Sequence, residues 1–284
     1  MSNPRTAVLS LLAAATLAGC GGSGVSTVVS APIPEYIDLA NRDYAVTSQL
    51  GGRILLTGDD AAIRAVSAGL LHSEGQLKSF TDGTSTFSDL DGEDASDIWT
   101  DGTLTLSPSE QQDGTYKYVA LFNFTAETYG GPVVLGVTMD AADIPVEGSY
   151  TYTGEAHLAG ASTSGGYASL TASGSASVAV DFENGLVNLT INGVSGVPYD
   201  SITLNGMEFA SDGRNTFSGG TLALFDGTGE VTDDLLGATR EEDARGDFYG
   251  MPTGTYDQPT EVGGVFYSKG TGGEGEIYGV FLAD

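Results

Sequence analysis

The sequence predicts a mainly β protein, in which a C-terminal soluble eight-stranded antiparallel β-barrel follows a small β-rich unit. Three observations predict this fold class. The 42 Gly residues favour tight turns and strands over helices. Short segments with alternating apolar and polar residues recur along the chain, and Asn-Gly or Asp-Gly pairs separate many of them. The hydrophobic share of 40%, with 13 Tyr and 11 Phe, is enough to form packed cores.

Residues 36–144 make up the predicted β-rich unit, because strand-like runs alternate with turn clusters there, as at 53–57, 103–106, 116–124 and 132–139. Residues 59–71 are an exception. An Asp stands at their start, and Ile63, Val66 and Leu70 recur at helical spacing. We therefore predict one short helix in this unit.

Residues 145–284 show a more regular pattern. Every second residue from Ala176 to Phe182 is apolar, which gives one buried and one wet face, and Asn184-Gly185 then favours a hairpin turn. The roughly eight strands that begin at Ser149 fit a closed barrel, with a two-sheet sandwich as the alternative. A membrane-spanning barrel would need an outward apolar band. Many outward positions are Ser, Thr, Asp or Ala, so we predict a soluble barrel.

Residues 1–19 read as a bacterial export signal. Arg5 precedes an apolar stretch, residues 7–15, that is too short to span a bilayer. The signal ends in Leu17-Ala18-Gly19-Cys20, which resembles the lipobox of bacterial lipoproteins. The resemblance implies cleavage before Cys20 and fatty acylation, including palmitate, of its sulfur and new amino terminus. The alternative is an ordinary secretory signal with a chance cysteine.

Residues 20–35 are rich in Gly, Ser, Thr, Val and Pro, a composition typical of a flexible tether. Gly21 follows the cysteine where an Asp would retain a lipoprotein in the inner membrane. By that sorting rule, acylated Cys20 is expected to enter the lipid bilayer of the outer membrane. The body would then be periplasmic or exposed at the cell surface.

The charge balance excludes several classes of function. The 38 acidic and 10 basic residues give a net charge of -28, which repels nucleic acid and anionic lipid head groups. Cys20 is the single cysteine, so neither an intrachain disulfide nor a cysteine metal cluster can form. His72 and His157 are the two histidines, and no Gly-x-Ser-x-Gly elbow stands between a strand and a helix. We predict no catalytic residues and a non-enzymatic protein.

Two candidate ligand sites remain. Asp89, Asp91 and Asp94 place carboxylates at spacings that a calcium loop could use, although Gly92 comes too early and Thr100 stands where a bidentate Glu is required. A solvated acidic loop is the alternative reading, and we expect no other cofactor. His157 is a candidate haem ligand, with an ordinary surface or packing residue as the alternative.

Two further features suggest binding surfaces. Glu241-Glu242-Asp243, together with Asp233 and Asp234, are predicted to form one long acidic loop between strands. Trp99 is the single tryptophan. We interpret it as a core residue of the first unit, and an exposed binding anchor is the alternative.

The second half resembles the barrel domain of the transferrin-binding protein B family of surface lipoproteins. The residues that carry the resemblance are the run from Ile144 to Gly154, the alternating segment from Ser175 to Phe182, Gly246-Asp247-Phe248-Tyr249-Gly250, the run from Glu261 to Phe266, and Gly279-Val280-Phe281. The chain departs from the family by having one barrel and by inserting residues after Met251-Pro252. No transferrin-contacting residue of the family can be matched.

The resemblance implies a handle-like unit at residues 36–144, a barrel at residues 145–284 and a role in binding. The expected function is that of an outer-membrane-anchored lipoprotein that captures a host or environmental protein, or an iron-related solute. The alternative is a structural or assembly lipoprotein of the cell envelope that has no solute ligand.

Overall fold

A computed structural model describes residues 49–57, 61–71, 76–88, 91–92, 99–100, 103–113, 116–127, 129–163, 166–250 and 259–284. The predicted signal, the tether and Cys20 lie outside these ranges, so they stay predictions. All the described residues belong to one compact unit.

The first half of the described chain forms a curled antiparallel sheet of nine strands, two of which span only two residues. Their order in the sheet is β4-β3-β2-β1-β9-β8-β7-β6-β5. The strands are β1 (Gln49–Leu56), β2 (Ala62–Leu71), β3 (Gln76–Thr81), β4 (Thr86–Ser88), β5 (Asp91–Gly92), β6 (Trp99–Thr100), β7 (Leu104–Pro108), β8 (Val119–Ala126) and β9 (Gly130–Gly136).

The second half forms the predicted barrel of eight antiparallel strands. Their order in the sheet is β13-β12-β11-β10-β18-β17-β16-β14. The two end strands, β13 and β14, also pair with each other, and this pairing closes the barrel. A short turn of 3-10 helix, Ala141–Asp143, precedes the barrel. The elements are β10 (Ser149–Ser162), β11 (Tyr167–Asp181), β12 (Leu186–Asn192), β13 (Ser201–Ala210), β14 (Gly213–Asp226), the two-residue β15 (Gly229–Glu230), α1 (Thr232–Leu236), β16 (Arg240–Tyr249), β17 (Glu261–Gly270) and β18 (Gly275–Ala283).

Aromatic side chains fill the barrel. The rings of Phe182, Phe209 and Phe217 all pack against Phe248, with centroids 5.4–5.8 Å apart. Aliphatic residues of β11, β12 and β13 are fully buried around them. An eight-stranded barrel has an interior of about the size that side chains can fill. The barrel is therefore a packed core.

Several aromatic residues inside the barrel have a glycine as their partner on the neighbouring strand. Gly246 is paired with Phe217, Gly264 with Phe281, and Gly279 with Phe266. A Cβ atom on Gly279 would lie 2.1 Å from Cζ of Phe266, so the ring occupies the space that a side chain would need. The glycines and aromatics of the predicted motif thus serve barrel packing.

The outer wall of the barrel has a polar side that faces solvent and an apolar side that the curled sheet covers. The outward side of β11 carries Thr171, Ser173, Ser175 and Ser177, which are exposed or half-buried. In contrast, β16, β17 and β18 bury several outward residues in the core of the curled sheet, namely Tyr249, Val265, Tyr278, Val280 and Leu282.

Residues 62–71 form strand β2, so the predicted helix over residues 59–71 is wrong. Every residue of β1 has a partner in β2, from Gln49 opposite Gly69 to Leu56 opposite Ala62. Pairing with β1 therefore outweighs the helical spacing of Ile63 and Val66. These two residues are β-branched, and such residues suit a strand equally well.

The acidic segment Glu241-Glu242-Asp243 also differs from the prediction, because it lies within β16 and not in a loop. These residues are paired with Lys269, Ser268 and Tyr267 of β17. Charged side chains can occupy a strand when cations lie beside them. Arg240 contacts Glu242 at 2.9 Å, and Arg245 contacts Asp243 at 2.9 Å. Asp233 and Asp234 do lie in the connection that precedes β16.

Several smaller expectations are confirmed. Asn184-Gly185 forms the turn between β11 and β12, with Gly185 at φ 66°. Asp82-Gly83 and Asp212-Gly213 likewise lie at the turns after β3 and β13. Among the described helices, none is both long and apolar enough to cross a membrane.

Gly279→Ala is expected to lower the free energy of unfolding by about 1–3 kcal/mol, because its methyl group overpacks the ring of Phe266. Adding Phe266→Leu should recover part of that loss. Urea denaturation measures both effects. Gly227→Ala is the matched control, since its nearest neighbour would be Asp200 Oδ2 at 3.9 Å. Equal effects of Gly279→Ala and Gly227→Ala would contradict the packing role.

Candidate functional site

The surface where the curled sheet covers the barrel is called the junction here. Strands β1, β8 and β9 of the sheet lie over the outward side of β16, β17 and β18. The approach is close, since a Cβ atom on Gly263 of β17 would lie 3.0 Å from Val134 Cγ1 of β9. Two buried carboxylates of the barrel, Asp247 and Glu261, make polar contacts across this apolar surface.

Arg53 and Asp247 form a two-pronged ion pair across the junction. Arg53 Nε and Nη2 donate to Asp247 Oδ2 and Oδ1, each at 2.7 Å, and the two side chains are 13% and 5% exposed. Burial raises the pKa of Asp247, and Arg53 opposes that rise. Burial acts to lower the pKa of Arg53, but Asp247 outweighs it and leaves that pKa raised. The pair fixes β1 against β16.

Glu261, the first residue of β17, joins the barrel to the start of β8. Its carboxylate accepts hydrogen bonds from the backbone amides of Lys117, Tyr118 and Val119 at 2.6, 2.8 and 3.0 Å. The residue is 2% exposed. Burial raises the pKa of Glu261 to about 6, while the three amide donors restrain the rise. Glu261 thus accepts hydrogen bonds from three consecutive backbone amides at the start of β8.

A polar cavity of about 410 Å³ opens at the β16 side of the junction. Arg53 of β1 lines it together with residues of the strand pair β14–β16. The other polar residues that line it are Asp212, Asn215, Thr216, Ser218 and Arg245. We call this space the polar cavity.

A smaller cleft of about 110 Å³ lies near β10 and contains His157, the predicted haem ligand. His157 is 9% exposed, and its Nε2 lies 3.5 Å from Glu155 Oε2. Leu55 and Pro132 of the curled sheet and Val280 of the barrel also line the cleft. Small-molecule sites commonly measure about 300–1,000 Å³, so the cleft alone does not hold a porphyrin. Haem ligation by His157 stays a prediction.

The other predicted site residues are not brought together by the described structure. Asp91 lies in the two-residue strand β5, while Asp89, Asp94 and His72 fall outside the described residues. Trp99 lies in strand β6, and its side chain is outside the description. No group of three candidate metal ligands occurs among the residues that the structure describes. Calcium binding by the acidic run therefore stays a prediction.

Sequence reasoning missed Arg53, Asp247 and Glu261 as a set. Arg53 and Asp247 are 194 residues apart, so no local pattern relates them. The available signal was a charge next to apolar residues: Arg53 precedes Ile54-Leu55-Leu56, and Glu261 precedes Val262. Such charges are buried only with a partner.

The geometry defines a class of protein: a filled eight-stranded barrel, one wall of which is covered by a curled antiparallel sheet. Solved structures of transferrin-binding protein B share this fold. One from Haemophilus parasuis is 16% identical over 83% of this chain and 44% of its own, with a TM-score of 0.52. A second from the same organism is 15% identical over 84% and 45%, with a TM-score of 0.50.

The same protein from Neisseria meningitidis is 18% identical over 84% of this chain and 43% of its own, with a TM-score of 0.48. The chain thus spans less than half the length of these structures. No family model and no curated protein matches the sequence. The resemblance of the barrel to transferrin-binding protein B is confirmed as a resemblance of fold.

Asp247→Asn is expected to lower the free energy of unfolding by about 3–5 kcal/mol, because Arg53 would stay buried without a compensating charge. Replacing both residues by Leu should cost less than Asp247→Asn alone, since no charge is then buried. A double-mutant cycle in urea, built from Arg53→Leu, Asp247→Leu and the double variant, measures the coupling between the two residues. Strictly additive effects of the two single changes would contradict the role of the ion pair.

Glu261 should make stability depend on pH. Its pKa of about 6 in the folded protein exceeds the ordinary 4.5, so folding favours the protonated form. The resulting stabilisation is complete below pH 4.5 and is lost as the pH rises through 6. Its size is on the order of 2 kcal/mol.

Urea denaturation between pH 4.5 and 7 tests this effect. The wild-type protein should lose more stability over that range than Glu261→Gln, which does not titrate. Glu208→Gln, a change at an exposed barrel position, should behave as the wild type does. If Glu261→Gln and the wild type lose stability in parallel, the carboxyl group does not titrate in this range.

Proposed function

We propose that this chain is a non-enzymatic lipoprotein, anchored in the outer membrane through acylated Cys20, which captures a protein partner at the cell surface. The fold likeness to transferrin-binding protein B from Haemophilus parasuis, a protein named for a protein ligand, supports this proposal. The lipobox-like Leu17-Ala18-Gly19-Cys20 supports the anchor.

The observation that carries the proposal is the filled barrel. Phe182, Phe217 and Phe248 occupy its interior, so recognition has to use the outside of the molecule. The filled interior gives no support to capture of an iron-related solute within the barrel. Val146 is the one large hydrophobic residue that is highly exposed in the described part of the chain. The partner is therefore recognised mainly through polar and charged groups.

One end of the barrel offers such groups. Because the barrel strands alternate in direction, the connections after β12, β14 and β17 lie at the same end. We call this end the acidic rim. Its exposed carboxylates belong to Asp200, Glu230, Asp233 and Asp234. An acidic surface favours a partner with a basic surface and speeds their encounter at low salt.

The test is capture at the surface of intact cells that carry the tagged full chain. Cross-linking followed by affinity purification and mass spectrometry should recover a basic protein with the wild type. Glu230→Lys with Asp234→Lys should reduce the recovery about 10-fold, since charges at an interface control association. The matched control is Glu183→Lys with Glu208→Lys, exposed acids away from the rim, and should change recovery less than about twofold.

Cys20→Ala provides the second readout. It should move the chain and its captured partner out of the membrane fraction without abolishing capture. If the Cys20→Ala protein stays in the membrane fraction, the anchor is wrong. If recovery is equal from all charge variants, the rim is not the binding surface. Recovery of other envelope proteins alone, with no extracellular protein, would support the structural alternative.

A further inference from the structure

We propose that the polar cavity at the junction binds a carboxylate group, presented by a peptide whose neighbouring residues are basic. The cavity holds two guanidinium groups, Arg53 and Arg245, in a protein with only 10 basic residues. This inference is independent of the acidic rim.

The strand register places the groups of the cavity side by side. On the outward side of β16, Arg245 and Asp247 are neighbours, two residues apart. Across the β14–β16 ladder, Thr216 lies opposite Asp247 and Ser218 lies opposite Arg245. Arg53 reaches Asp247 from β1 above them. Two hydroxyls and two guanidiniums therefore line the same cavity.

The cavity lies beside a short seam between β14 and β16. Three residue pairs join these strands, whereas ten join β16 to β17. Beyond Ser218, Gly219 and Gly220 adopt φ values of 83° and 88°, which bend β14 away from the ladder. The outward face of β16 thus stays accessible beside Arg245, which is 43% exposed.

The arginines still have donors to offer. Arg53 uses Nε and Nη2 for Asp247, and Arg245 uses Nε for Asp243. Among the described residues, none accepts a hydrogen bond from Nη1 of Arg53 or from either Nη of Arg245. A guanidinium presents its donors in a planar fork that matches a carboxylate. The cavity is therefore suited to a ligand that supplies acceptors.

The charge of the cavity limits what that ligand is. Asp247 and Asp243 each neutralise one arginine. Asp212, which also lines the cavity, adds an exposed carboxylate. The whole chain carries a net charge of -28, which repels free anions. A carboxylate within a basic peptide meets the donors without that repulsion. Asp212 should weaken the binding of any carboxylate.

Arginine side-chain ¹H–¹⁵N spectra of the full chain test the site with three probes: a blocked peptide with one Glu between lysines, the same peptide with Gln, and succinate. The Glu peptide should shift the Nε signals of Arg53 and Arg245 saturably, and the Gln peptide should bind at least about 10-fold more weakly, the effect of one charge-assisted contact. Succinate binding as tightly as the Glu peptide would make a free acid the ligand.

Three variants complete the test. Arg245→Gln should weaken binding of the Glu peptide at least about fivefold, and Asp212→Asn should strengthen it, by the loss and gain of one charge interaction. Arg64→Gln is the matched control, because Arg64 is also a partly exposed arginine and pairs with Asp82 away from the cavity. Equal binding of the Glu and Gln peptides, or no effect of Arg245→Gln, would overturn the proposal. Failure of capture at the acidic rim would leave this result unaffected.

Discussion

The curled sheet covers one wall of the barrel, and this coverage requires strands that are buried on both sides. Strands β16, β17 and β18 place aromatic and small residues inside the barrel, while several of their outward residues enter the core of the sheet. Two buried carboxylates act in this apolar layer. Asp247 holds β1 through Arg53, and Glu261 holds the beginning of β8. Since a buried charge is tolerated only with well-matched partners, these contacts also specify how the sheet lies on the barrel.

The pairing of glycine with phenylalanine inside the barrel explains how the same strands serve two cores. Phe266 lies over Gly279 and Phe281 over Gly264, so each large ring is accommodated where its partner has no side chain. Their outward neighbours, Val265 and Val280, are then available to the sheet. The motif residues that suggested a known barrel therefore describe a packing solution. They do not identify a binding site.

Much of the barrel was accessible from the sequence because its strands alternate and its turns are short. The alternation from Ala176 to Phe182 and the turn at Asn184-Gly185 needed only local information. Strand β2 was mistaken for a helix because its small and β-branched residues fit either period, and its partner β1 decided the outcome. The acidic residues of β16 were mistaken for a loop because a run of charge is typical of an exposed connection, and their pairing with β17 is not visible in the sequence.

The junction could not be predicted for a different reason. Arg53 and Asp247 come from units that the sequence suggests are separate, so the choice of partner depends on how the sheet is placed. The sequence shows only that a charged residue stands next to an apolar run, and it does not show which residue is the partner.

The use of the basic residues connects fold and function. Arg53, Arg240 and Arg245 pair with carboxylates, and Arg214 donates to the backbone carbonyls of Pro145 and Phe182. Most described cations are thus committed to internal contacts, while many acids stay exposed. Those exposed acids are left to interact with ions of the solvent or with a partner. We propose that a filled barrel with such a surface selects its partners by charge. On this proposal, the two arginines of the polar cavity are a local exception, which a basic partner with one carboxylate can use.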